Sequence, residues 1–363
     1  FYSVLGEKVP TAGYAFFGAV FLSSPLISEV FTYFLHNGIA IGYLCCGISL
    51  CCVREWQSST RKMQKGSGIR QKLGCLAVAK ILTAAVFLWI AMGCYESFMI
   101  LWLAGLMLLL LTERIARGRQ EKDIFATLVA GAVAALVAIV LRSVMIVVVT
   151  KAFHLEYLRG EAVQRSVTEM LGWMLQPGAF GELAMILKRT FVLYGVFAYA
   201  YLPIRIFILS AAAILVVTLV RVIRGRDLWA LLLLPATYLA AFSLLFIEGK
   251  ATLYRSAQFL PVFCGYGALL FVYGIWQLTG TLAPKAKNTA GRKISAGVRA
   301  LAVLVLAVIL WNQCMDMTRW FYIDKKKYDA AVQTVGADPA MAALLSQPNN
   351  NLAVEYCRAI LEQ

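Results

Sequence analysis

IFATLVAGAVAALVAIVLRSVMIVVV, residues 124–149, carries one charge, Arg142. A helix rises about 1.5 Å per residue, so about 20 apolar residues cross a hydrocarbon layer about 30 Å thick. This stretch meets that requirement by itself. Outward from it, Leu103–Leu111, Ile206–Val220, Leu228–Ile247 and Leu301–Trp311 are also free of charge or nearly so. Of 363 residues, 61% are hydrophobic and 15% charged, against about 25% charged in an ordinary soluble domain. Too little polar chain remains to cover the apolar runs. The predicted fold class is therefore all-α, a polytopic membrane helical bundle.

Nine spans are predicted, over about Val4–Leu22, Gly38–Val53, Leu73–Met92, Phe98–Leu111, Ile124–Val149, Ile204–Val220, Leu228–Ile247, Ala257–Leu278 and Ala300–Trp311. Residues 1–314 form the membrane domain and 315–363 a helical tail. Phe1 already lies in an apolar segment, which implies a missing N-terminal part. Residues 150–203 are too polar to span. Within them Val163, Val167, Met170, Leu171 and Met174 share one helical face, with Gln164, Arg165 and Glu169 away from it. That pattern predicts an amphipathic interfacial helix ending at Gln176-Pro177-Gly178.

Alternation puts loops 54–72, 113–123, 221–227 and 280–299 on one side, where they carry 18 Lys and Arg. Short basic loops mark the cytoplasmic face. The net charge of +15 is thus a feature of topology, and no nucleic-acid partner is expected. The outer side receives Ser23–Asn37, Gly93–Ser97, residues 150–203, Glu248–Ser256 and the tail. No carboxylate lies in the middle of a predicted span, whereas a proton-coupled transporter keeps such groups inside its bundle.

His36 and His154 are the only histidines, and the chain has no HExxH, Walker loop or GxSxG. Zinc proteolysis and ATP-driven transport are accordingly poor readings. No metal site is expected and no cofactor is specified, although a divalent cation stays compatible with the chain. Cys45, Cys46, Cys51 and Cys52 read as apolar filler on one helix. Cys314 and Cys357 share the tail and can pair in an oxidising compartment.

The candidate chemistry lies at the outer surface. Arg142, about two turns below the outer end of its span, suits a lipid-borne phosphate, or else snorkels to the headgroups. Lys80, nearer the cytoplasmic half, reads as a snorkelling lysine. Glu248, Lys250, Tyr254 and Arg255 share one short loop, where arginine offers bidentate phosphate recognition. Glu29 and Glu96, in short loops between apolar spans, are placed to act as a general base, or else are solvated loop acids. Trp89, Tyr95 and Trp102 fall near span ends as an interfacial belt. Tyr95, beside Glu96, is also a substrate-binding candidate, since an aromatic ring can stack on a sugar.

Met92-Gly93-Cys94-Tyr95-Glu96-Ser97-Phe98 resembles the A-Y-x-S-F turn of the GtrII-like glucosyltransferases. Ser24-Pro25-Leu26-Ile27-Ser28-Glu29 through Tyr33 is similar to their Pro-led outer loop. Trp320-Phe321-Tyr322-Ile323-Asp324 with Tyr328-Asp329 is similar to their segment after the last span, and Tyr254-Arg255 to their Pro-Arg pair. The resemblance implies a bacterial cytoplasmic-membrane enzyme of GT-C-like architecture. Such enzymes take glucose from a polyprenyl-phosphate sugar donor and pass it to a surface polysaccharide or lipid-linked glycan acceptor outside the cytoplasm. Two departures stand out. The family's acidic first outer loop would lie upstream of Phe1, and Phe31-Thr32-Tyr33-Phe34-Leu35 replaces its Arg-Tyr-Asp.

The expected function is inverting glycosyl transfer, with Arg255, Arg142 and Lys250 about the donor phosphate and Glu29 or Glu96 as base. A lipid-linked saccharide flippase or exporter is the alternative from another class, and a scaffold subunit of an envelope complex a third.

Overall fold

The computed structural model describes residues 1–24, 27, 36–65, 70–117, 121–153, 172–192, 204–225, 227–241, 243, 258–282 and 289–336. Among them there is no strand. The chain forms two compact units, Phe1–Ala307 and Val308–Gln363. The helices are α1 (Thr11–Leu22), α2 (His36–Lys65), α3 (Arg70–Cys94), α4 (Phe98–Arg117), α5 (Glu121–Ala152), α6 (Ala179–Val192), α7 (Ile204–Gly225), α8 (Leu228–Ala241), α9 (Phe259–Leu282) and α10 (Thr289–Gly336). Seven of these are long and apolar enough to cross a bilayer, and α1 and α8 are shorter apolar helices. Each of the nine predicted spans thus has an apolar helix.

The centre of the first unit is α4, which packs against α2, α3, α5, α7, α8 and α9. Its Phe98, Trp102, Leu106, Leu110 and Leu111 are almost completely buried. Most of α5, by contrast, faces outward, with Phe125, Val129, Val133, Leu136, Val140 and Val144 exposed. In a bilayer such a face is solvated by lipid, and close helix contacts come from small residues. The α7–α9 contact follows that rule. A Cβ at Gly267 would collide with the backbone and side chain of Ser210, whose Oγ donates to the Cys264 carbonyl at 3.0 Å.

Several polar side chains inside the bundle are paired, as a medium without water favours. Trp102 Nε1 donates to Ser49 Oγ at 2.8 Å, and that hydroxyl donates to the Ala84 carbonyl at 2.7 Å. Three helices are joined by one relay. Trp102 therefore belongs to the core and not to the interfacial belt expected of it. One turn further along α4, Leu106 fits where Gly131 of α5 leaves room, since a Cβ there would lie 2.6 Å from Leu106 Cδ2.

Several boundaries differ from the sequence reading. The first span is interrupted: a helical turn at Tyr2–Leu5 and a 3-10 turn at Gly6–Lys8 precede Pro10, after which α1 begins. Proline fixes φ and has no N–H, so it suits a helix entrance and not an interior. The basic stretch from Arg54 continues α2 to Lys65 instead of forming a loop at once, and Glu113 and Arg114 belong to α4. Between 150 and 203, the residues of the expected amphipathic face up to Leu171 lie outside the described residues. A 3-10 turn at Trp173–Leu175 is followed by a bend in which Gly178 has φ 91°, a value that glycine adopts without strain. The chain then enters α6, a helix absent from the sequence reading. The last predicted span is part of the much longer α10. In the second unit Lys326 lies 4.9 Å over the Tyr322 ring. Among the described residues Cys314 has no disulfide partner; the expected partner, Cys357, lies outside them.

Candidate active site

The turn Tyr95–Ser97 joins α3 to α4. Its backbone is fixed by Tyr95 N to Ala91 O at 3.1 Å, Phe98 N to Tyr95 O at 3.1 Å and Met99 N to Glu96 O at 3.1 Å. Two apolar spans meeting at a three-residue connection leave the Glu96 side chain nowhere to go but outward, and it is 61% exposed. Its partner is Arg142 of α5, which donates to Glu96 Oε1 through Nη2. Read from the sequence, these two residues have separate roles; in the fold they form an ion pair. Tyr95 is half-buried beside them.

The placement of Arg142 has a simple metric. Asp123 and Arg142 are separated by about 28 Å of α5 at 1.5 Å per residue, close to one hydrocarbon thickness. The helix continues past Arg142 to Ala152, so Arg142 lies inside the candidate span Asp123–Ala152.

Below the turn lies an aromatic wall. Tyr43 of α2 meets Phe98 edge-on at 5.2 Å and Phe21 of α1 at 5.0 Å. Its hydroxyl lies 2.7 Å from Gln258 Oε1 and 2.8 Å from the Gln258 carbonyl, to which it donates. Gln258 immediately precedes α9, so this bond ties the end of the connection bearing Glu248, Lys250, Tyr254 and Arg255 to the Glu96 end of the bundle. Those four residues, and Glu29, lie outside the described residues. Tyr43 and Gln258 were absent from the sequence candidates. A tyrosine inside an apolar span and a lone glutamine at the start of another were the available signals.

The opposite end is held by charge. Arg114 of α4 pairs with Asp227, and both side chains are buried. Arg54 lies 3.5 Å from the nearly buried Glu113. Lys8 Nζ donates to the Ala116 carbonyl at 2.7 Å, and Gln57 Nε2 to the Asp123 carbonyl at 2.9 Å. Lys80 pairs with Glu55 at 3.0 Å, so it has a carboxylate partner in the protein. Charges expected to be solvated in cytoplasmic loops are instead partly internal. Among the described residues no group of three His, Cys, Asp or Glu is arranged to hold a metal ion.

The family described as Glucosyl transferase GtrII has a sequence profile that matches residues 3–272. The chain belongs to the GtrII glucosyltransferase family. No curated protein and no solved structure matches it. The matched residues include the Pro25, Glu96 and Tyr254-Arg255 segments, while Trp320–Asp329 lies beyond them. Family membership makes glycosyl transfer, and not saccharide export, the activity to explain. The GtrII chain is a multi-pass membrane protein, and its described polar candidates meet at the end opposite its basic connections.

Proposed function

We propose that this protein transfers glucose from a polyprenyl-phosphate carrier to a cell-surface polysaccharide, on the outer side of the bacterial cytoplasmic membrane. The observation that carries the proposal is the meeting of Arg142 and Glu96 at the bundle end to which Gln258 ties the Arg255 connection. A lipid-linked donor presents its phosphate near the membrane surface, and Arg142 pairs with Glu96 of the turn between two spans. Arg255 and Lys250 add positive charge, Tyr254 and Glu248 line the same connection, and Tyr95 offers a ring to the sugar. The excess of Lys and Arg at the other end supports an outward orientation.

In the reaction, an acceptor hydroxyl oxygen bonds to the anomeric carbon while the bond from that carbon to the phosphate oxygen breaks. The electron pair leaves with the lipid phosphate, whose growing charge the guanidinium groups stabilise. The hydroxyl proton passes to a carboxylate, Glu96 or Glu29. Attack opposite the leaving group inverts the anomeric centre. This arrangement fits a GT-C-like bundle.

The test is glucose transfer from polyprenyl-phosphate glucose in membranes carrying Arg255→Ala or Arg255→Lys. Loss in Arg255→Ala with partial retention in Arg255→Lys supports the phosphate role. Near-normal transfer by both, at normal expression, removes Arg255 from the site.

A further inference from the structure

We propose that Arg142 is exchanged between Glu96 and the donor phosphate, so that donor binding itself releases the base; this rests on the lipid-phosphate donor proposed above. Arg142 is paired with Glu96. A carboxylate occupied by a guanidinium is a poor acceptor for another proton donor, and a guanidinium occupied by a carboxylate is a poor receptor for phosphate. The closed pair therefore sets the two roles in competition, although other guanidinium donors and the second carboxylate oxygen remain available.

The geometry makes the exchange easy. Glu96 is 61% exposed and the Arg142 side chain 29% exposed, so both partners are within reach of water or headgroups and the pair is a weak one. They approach from different surroundings. Glu96 rides on a turn, immediately before α4, where the positive end of the helix dipole favours a carboxylate even without a counter-ion. Arg142 rides on α5, flanked by the exposed Leu141, Val144 and Met145, a face that lipid can approach laterally. A phosphate arriving from that side carries charge-assisted bidentate acceptors. Guanidinium transfers to it, and Glu96 becomes free to take the acceptor hydroxyl's proton as the glycosyl bond forms and the phosphate bond breaks.

The experiment measures binding of radiolabelled undecaprenyl phosphate, without sugar, to the full-length chain in nanodiscs. Glu96→Gln removes the competitor and is expected to tighten binding about two- to five-fold, the scale of an exposed ion pair. Arg142→Gln is expected to weaken it about ten-fold or more, as is the double variant. Glu96→Asp keeps the charge and should bind like the wild type. Thermal unfolding of each variant identifies any that fails to fold, and Glu96→Asp against Glu96→Gln then carries the comparison. Unchanged or weaker binding by folded Glu96→Gln, or wild-type binding by Arg142→Gln, overturns the exchange. If the wild type transfers glucose from the lipid donor but shows such a result, only the exchange falls. If the wild type neither binds the lipid phosphate nor transfers from it, the donor assignment falls as well.

Discussion

Tyr43 and Gln258, 215 residues apart in sequence, are joined by a hydrogen bond of 2.8 Å that the tyrosine hydroxyl donates to the Gln258 carbonyl. That bond fixes where the connection before α9 rejoins the bundle. Tyr43→Phe keeps the ring between Phe21 and Phe98 and removes only the donor, at a cost of about 1 kcal/mol of stability. Because the connection carries Arg255, the account expects KM for the lipid donor to rise more than kcat falls. Steady-state kinetics of Tyr43→Phe beside the wild type decide this. A lower kcat at unchanged KM would show that Tyr43 does not position the donor loop.

The buried pair of Arg114 and Asp227 makes a separate prediction about stability. Asp227 Oδ1 also accepts from Ala230 N at 3.3 Å, capping α8. Asparagine caps as well as aspartate, so Asp227→Asn isolates the lost charge. Leaving Arg114 buried without its partner costs about 3–5 kcal/mol. Thermal unfolding in detergent is expected to show a marked fall in Tm. Replacing both residues with apolar ones should restore much of it.

Packing at the α7–α9 crossing is tested by Gly267→Ala. The new methyl meets Ser210 backbone, which cannot swing aside as a long side chain can, and overpacking costs about 1–3 kcal/mol. Gly18→Ala, where a Cβ meets nothing within 4 Å, is the control and should be close to neutral.

What was readable in the sequence divides along physical lines. The apolar stretches were legible because a bilayer imposes length and composition on every span, and residues 124–149 satisfy both. The helix ends were not, because outside the hydrocarbon a helix is free to continue. Arg54–Lys65 extends α2, and Glu113 and Arg114 extend α4, with no compositional break to mark either. The break before α1 was available in Pro10. Of the candidate site, Glu96, Tyr95 and Arg142 stand out as individual residues in the sequence, since charge and aromatic character near a span end are visible locally. Their pairing was invisible because it joins a turn after α3 to the interior of α5, 46 residues further on. Tyr43 and Gln258 were missed for the same reason: their significance lies in each other.

Sidedness can be read chemically. In a cysteine-free background, Leu22→Cys lies at the Glu96 end and Ile223→Cys at the basic end, and both positions are exposed. With a membrane-impermeant maleimide added to intact cells, Leu22→Cys is expected to label and Ile223→Cys only after permeabilisation. The reverse pattern would place the Glu96 end in the cytoplasm.

The central claim is that a lipid phosphate delivers the sugar, and the most direct measurement is a choice of donor. Purified wild-type protein in liposomes, given an acceptor glycan, is supplied with labelled glucose either on polyprenyl phosphate or on a soluble nucleotide. The account predicts transfer from the polyprenyl-phosphate donor alone, and loss of that transfer in Arg142→Gln. Transfer from the nucleotide sugar with none from the lipid donor would contradict it.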